Sequence, residues 1–160
     1  MSRGRREIKT FQVEETQTLG RLIGEAAQPG WIVCLEGPMG GGKTALSQGI
    51  LKGFGVTGYI TSPTFSIVHT YETNRGKIHH FDVYRLSGMD ELLDIGFEDY
   101  LKDGIVVMEW ASIVRDELDG TILDVTLELG DDPQERTILL EGEESLLEGL
   151  HLDKGWEKTC

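Results

Sequence analysis

The stretch Gly37-Pro38-Met39-Gly40-Gly41-Gly42-Lys43-Thr44 sets glycines, a lysine and a hydroxyl at the spacing G-x-x-x-x-G-K-[ST]. Those residue types in that order suit one task, holding the phosphates of a nucleotide. Glycines lack Cβ and visit positive φ cheaply, so successive backbone N–H groups can turn inward as an anion-binding nest. Lys43 is placed to reach the β- and γ-phosphates, and the Thr44 hydroxyl to ligate Mg²⁺. A helix starting at about Gly42 aims its positive dipole end at the same phosphates. The flanks agree. Trp31-Ile32-Val33-Cys34-Leu35-Glu36 is an apolar run of strand length, and Leu46, Ile50, Leu51 and Phe54 recur at helical spacing downstream.

A phosphate loop alone only binds; hydrolysis needs Mg²⁺ and a group that orients the attacking water. Glu109 ends a second apolar run, Ile105-Val106-Val107-Met108. A strand buried between helix layers would leave that acid at the rim where phosphates lie. The plain alternative is a solvated acid at a strand end. Asp82, in His80-Phe81-Asp82-Val83-Tyr84-Arg85, alternates with apolar residues and shares a strand face with His80 and Tyr84. It reads as a proton acceptor or a group behind the metal, or as one polar residue of a half-exposed hairpin. Arg85 reads as a surface ion-pair partner rather than a cis arginine finger. His79 and His80 are too few and too badly spaced for a zinc site. Ser62-Pro63-Thr64 resembles a switch segment, a hydroxyl-bearing loop placed to sense a γ-phosphate.

The elements that must position these groups can be read off in order. An extended piece over residues 10–13 leads into a helix with Leu19, Leu22, Ile23 and Ala26 on one face, stopped by Pro29-Gly30. After the loop helix, residues 65–71 and 78–84 alternate as two strands around the turn Asn74-Arg75-Gly76, an antiparallel hairpin. Short helices are expected near residues 90–93 and 97–101, then the strand ending at Glu109, a helix over 111–118, and strands over 122–129 and 136–140. The whole predicts a three-layer α/β fold of the P-loop nucleotidase type, its mixed sheet having a parallel core and an antiparallel hairpin. Residues 1–9 read as a flexible basic tail, 10–142 as the domain, and 143–160 as an acidic, partly helical tail.

With 160 residues and a net charge of −13, the chain suits one domain whose surface repels a phosphate backbone. Independent RNA or DNA binding is therefore disfavoured, because the only basic cluster is Arg3, Arg5 and Arg6. No apolar run reaches membrane-span length, and no signal-like segment follows the N-terminus, so a cytoplasmic chain is expected. The two cysteines, Cys34 and Cys160, read as free thiols.

Other nucleotidase classes fit less well. A guanine-binding N-K-x-D motif is missing, since the one asparagine, Asn74, is followed by Arg75. Leu86-Ser87-Gly88 starts an ABC-type signature that Met89 and Asp90 break, and no arginine-rich kinase lid is evident. A small-molecule kinase and a nucleotide-gated binding module remain open alternatives.

Taken together, Gly37 to Thr44, Thr61-Ser62-Pro63-Thr64-Phe65, His80 to Leu86, Glu91-Leu92, Asp94 to Leu101 and Glu109-Trp110 resemble the bacterial TsaE (YjeE) family. The resemblance runs from about Thr16 to Trp110. It implies an ATPase that supports N6-threonylcarbamoyladenosine modification of tRNA by docking on the TsaB–TsaD heterodimer and hydrolysing ATP for repeated turnover. It would meet tRNA only through that complex. By the same resemblance Lys43 is the phosphate lysine, Thr44 and Glu109 are Mg²⁺ ligands, Asp82 is an active-site acid, and Trp110 serves partner docking or active-site shape. Pro38 stands where the family usually has Asp, and Ala45 where a second Thr is common. Pro38 removes one N–H from the loop, at a position that need not touch phosphate. Ala111-Ser112 replace the Pro-Glu that commonly follows the tryptophan.

Overall fold

The two apolar runs become neighbouring parallel strands at the centre of a seven-stranded sheet. A computed structural model describes residues 2–38, 42–63 and 66–152. In chain order its elements are β1 (Arg3–Thr10), α1 (Val13–Ala26), β2 (Trp31–Glu36), α2 (Lys43–Phe54), β3 (Val68–Thr73) and β4 (Gly76–Asp82). Then come α3 (Met89–Asp94), α4 (Phe97–Lys102), β5 (Gly104–Glu109), β6 (Thr121–Leu129), β7 (Arg136–Glu143) and α5 (Glu144–Glu148). The strands lie in the order β1-β7-β6-β2-β5-β4-β3. The inner four, β6, β2, β5 and β4, are parallel, while β7, β1 and β3 add antiparallel at the edges.

Alternation along the central strands splits the core into two layers. On one face Val33, Leu35, Val107 and Val125 pack with Leu19 and Ile23 of α1 and Leu46 and Ile50 of α2. On the other, Cys34, Phe81, Val106 and Met108 pack with Leu92 and Phe97 of the short helices. The three-layer mixed α/β architecture is thus as expected. Cys34 is a free thiol, and burial pushes it up to about 12, so it is inert at neutral pH. Cys160 lies outside the described residues. Among the described residues no helix is long and apolar enough to cross a membrane.

Three local expectations are corrected. The basic N-terminus is no loose tail: residues 3–10 form edge strand β1, paired along its length with β7. Two of its arginines meet acids, Arg3 with Asp124 at 3.3 Å and Arg6 with Glu144, while Ile8 packs on the core. At the other end the domain does not stop at residue 142, because Leu146, Leu147 and Leu150 are buried in the α1–α2 layer. Between Ala111 and Glu117 there are two short 3-10 turns instead of one helix. The break between them falls at Val114, at φ −124° and ψ 0°, while Trp110 enters the first at φ 63°.

The hairpin carries a clamp that holds the helix layer together. Arg75, in the β3–β4 turn, donates to the carbonyls of Gly24 (3.0 Å), Glu25 (3.1 Å), Ala27 (3.0 Å) and Gly53 (3.4 Å). Its guanidinium also lies 4.5 Å from the centroid of the Phe54 ring. One cation therefore meets the negative ends of both α1 and α2. Arg75→Ala should lower unfolding free energy in urea by about 2 kcal/mol. Arg75→Lys should recover only part, because an ammonium cannot fork across carbonyls of two helices. An unchanged urea midpoint for Arg75→Ala would show the clamp to be idle.

Candidate functional site

The sheet's connectivity decides where a ligand can sit. From β2 the chain leaves through α2 on one face toward β3 and β4. From β5 it leaves through the 3-10 turns on the other face toward β6, on the far side of β2. Departures in opposite directions open a crevice beyond the carboxyl ends of the two strands. Gly37 follows β2, Lys43 opens α2 and Glu109 ends β5, so all three line that crevice.

Gly42 stands at the entry to α2 with φ 103°, where a non-glycine residue would be strained. Thr44 is exposed in the first turn of α2. Lys43 is buried; its ammonium donates to the carbonyls of Gly37 (2.6 Å) and Pro38 (3.0 Å). Burial pulls its pKa below the usual lysine range, while the carboxylates Glu109, Glu36 and Asp82 pull it back up. The same ammonium lies 3.9 Å from the centroid of the Trp110 ring, which Tyr84 in turn flanks at 4.8 Å. Met39, Gly40, Gly41 and Thr64, all named as candidates from sequence, lie outside the described residues; Ser62 is exposed.

The two candidate acids are brought side by side. β4 and β5 pair in parallel with Asp82 opposite Glu109, the last residue of each strand. Adjacent strands put such residues about 5 Å apart. Both are buried, at 7% and 6% exposure, so neither is the solvated strand-end acid or half-exposed hairpin residue of the plain alternatives. Asp82 accepts the Tyr84 N–H at 3.1 Å. Glu109 Oε2 lies 2.6 Å from His80 Nε2 and 3.4 Å from the Ser47 hydroxyl. Arg85 is on the surface.

Several participants were not singled out from sequence. Ser47 sits one turn past Lys43 on the side of α2 that meets β5, a position helical spacing allows but does not mark. Glu36 ends β2 and accepts the Ser112 N–H at 2.7 Å, tying down the chain just past Trp110. His80 was noticed only as a neighbour of Asp82, since its bond to Glu109 depends on which strands pair.

With this geometry in view, comparison with known proteins is decisive. The family model described as threonylcarbamoyl adenosine biosynthesis protein TsaE matches residues 10–138. The chain belongs to the TsaE family. A TsaE protein of Bacillus subtilis is 35% identical over 136 residues, covering 84% of this chain and 85% of its own. One from Rickettsia felis is 38% identical over 120 residues, covering 74% of this chain and 70% of its own. The crystal structure of Bacillus subtilis YdiB superimposes with a TM-score of 0.81 at 27% identity, spanning 96% of this chain and 99% of that one. The TsaE family is named for threonylcarbamoyl adenosine biosynthesis, the pathway in which this chain's family therefore acts. The family match covers β2, α2, β4 and β5, so every described element of the crevice falls inside it.

Proposed function

We propose that this chain is an Mg²⁺-dependent ATPase, weak by itself, that supports tRNA threonylcarbamoyladenosine modification in the cytoplasm. It does so by docking on the TsaB–TsaD heterodimer and hydrolysing ATP for repeated turnover. The observation that carries the reading is the convergence of Lys43, Glu109 and Asp82 at one crevice, on the ends of three adjacent elements.

The residues suit the groups this function needs. Mg²⁺ prefers oxygen ligands, keeps several waters, and is usually held by one or two carboxylates plus the phosphates of its nucleotide. The Thr44 hydroxyl and the Glu109 carboxylate supply that kind of donor. When bound, the cation neutralises charge between the β- and γ-phosphates. Lys43 supplies a fixed positive charge whose present acceptors, two loop carbonyls, are weaker than a phosphate would be. Trp110 shields that ammonium from water on one side, which strengthens its field toward the loop. Asp82, level with Glu109 at the strand ends, can orient a water toward the same space. Ser62, Thr64 and Trp110 are the candidates for sensing nucleotide and partner. The charge of −13 favours contact with tRNA through a protein partner rather than directly.

Phosphate release from ATP, measured with and without TsaB–TsaD, tests the reading. Slow release alone and faster release with the heterodimer is the expected result. Phosphate found on a small acceptor would instead indicate a kinase. Heterodimer affinity that changes with ATP while no phosphate is released would indicate a nucleotide-gated binding module.

A further inference from the structure

Behind the acid that ends β5 lies a buried imidazole, His80. His80 and Asp82 project from the same face of β4, the face covered by α2, and Glu109 projects from that face of β5. The His80 side chain is 3% exposed and that of Glu109 is 8% exposed, and they meet at 2.6 Å through Nε2 and Oε2. The Ser47 hydroxyl approaches the same oxygen at 3.4 Å while donating to the Thr44 carbonyl at 3.0 Å. Among the described residues, Nδ1 of His80 is buried without a hydrogen-bond partner.

These contacts together specify where the hydrogen sits. A carboxylate only accepts, so the short contact needs N–H at Nε2. An N–H buried without an acceptor is the costlier kind of orphan, whereas a bare ring lone pair at Nδ1 is better tolerated. A hydrogen on Nε2 meets the carboxylate and leaves only a bare lone pair at Nδ1. Both contacts also fall on one carboxylate oxygen, Oε2, which leaves Oε1 for another ligand.

We propose that His80 is a positioning residue: its Nε2–H pins Oε2 of Glu109 so that Oε1 is presented to the nucleotide-bound divalent cation beside Thr44. The inference rests on the Mg²⁺-ATPase reading and adds to it the group that aims the metal-binding carboxylate. Histidine suits the post because it is rigid and reaches across from the neighbouring strand. A partner that holds a ligating group in place typically governs affinity for the metal about as strongly as activity.

The test uses the full chain, with Mn²⁺ as the probe and electron paramagnetic resonance reporting free Mn²⁺ in the presence of ADP. His80→Leu should weaken Mn²⁺ binding roughly 10- to 100-fold, while ADP affinity measured in EDTA stays as in the parent. His80→Gln places an amide N–H near the position of Nε2 and should retain most of the Mn²⁺ affinity. His80→Asn, whose amide is too short to reach Oε2, should not. If Gln and Asn behave alike, or if folded His80→Leu binds Mn²⁺ normally, the proposal is overturned. Should His80→Leu not fold, the Gln–Asn comparison decides alone. Glu109→Gln separates the two levels. Normal Mn²⁺ affinity in that variant refutes the underlying metal assignment, whereas loss there with none in His80→Leu refutes only the role of His80.

Discussion

Lys43→Ala is expected to abolish steady ATP hydrolysis, with a drop of at least about 100- to 1,000-fold, the usual cost of removing one preorganised charge or donor from a transition state. The ammonium is not a loose surface charge that a neighbour could replace. It is buried, held by the Gly37 and Pro38 carbonyls and covered by the Trp110 ring. Truncation removes the protein's own positive charge from beside Glu109 and Asp82, so nucleotide affinity should fall together with turnover. Glu109→Ala should show a different signature. Turnover is lost to a similar degree, but nucleotide binding without metal persists, because the variant removes a negative charge from the crevice. Steady-state phosphate release and calorimetric titration with ATP, each with and without Mg²⁺, resolve the two patterns. Undiminished turnover in both variants would remove the proposed catalytic assignment altogether.

What could be read from the chain in advance followed from how local each signal is. The loop from Gly37 to Thr44 carries its chemistry in consecutive residues, and the strand and helix around it follow from their own apolar periods. Glu109 was visible because four apolar residues run straight into it. The link between Glu109 and Asp82 was not visible in that way. It depends on β4 and β5 pairing in parallel through the α3–α4 crossover, with Asp82 opposite Glu109, and no short window of sequence records a register. His80 was hidden for the same reason. The N-terminal strand was misread because Arg3-Gly4-Arg5-Arg6 has the composition of a tail. Its order comes instead from the ladder to β7 and from acids distant in sequence, Asp124 and Glu144. Residues 144–150 likewise look acidic in sequence, yet Leu146, Leu147 and Leu150 are what the fold uses.

Gly24→Ala should be among the most destabilising single changes available outside the crevice, costing about 3 kcal/mol or more. α1 and α2 approach until their backbones touch, through Gly20 and Gly24 on one helix and Gly49 and Gly53 on the other. A Cβ on Gly24 would sit 2.8 Å from the Phe54 nitrogen and collide with the Ile50 carbonyl oxygen; one on Gly20 would sit 2.5 Å from the Leu46 carbonyl oxygen. These obstacles are helix backbone, which cannot rotate aside as a side chain can, so the helices must separate. Separation tilts α2, and with it Lys43 and Thr44, away from β2 and β5. It also pulls the carbonyls of Gly24 and Gly53 off the single guanidinium of Arg75. Thermal unfolding of Gly24→Ala should therefore show a large loss of stability, and any folded fraction should bind ATP more weakly. Gly88→Ala is the control, since its backbone is extended and a Cβ there meets nothing within 4 Å; its effect should stay within about 0.5 kcal/mol. Equal melting temperatures for the two variants would mean the helices do not touch backbone to backbone in solution. The first turn of α2 would then need some other anchor to face the end of β5.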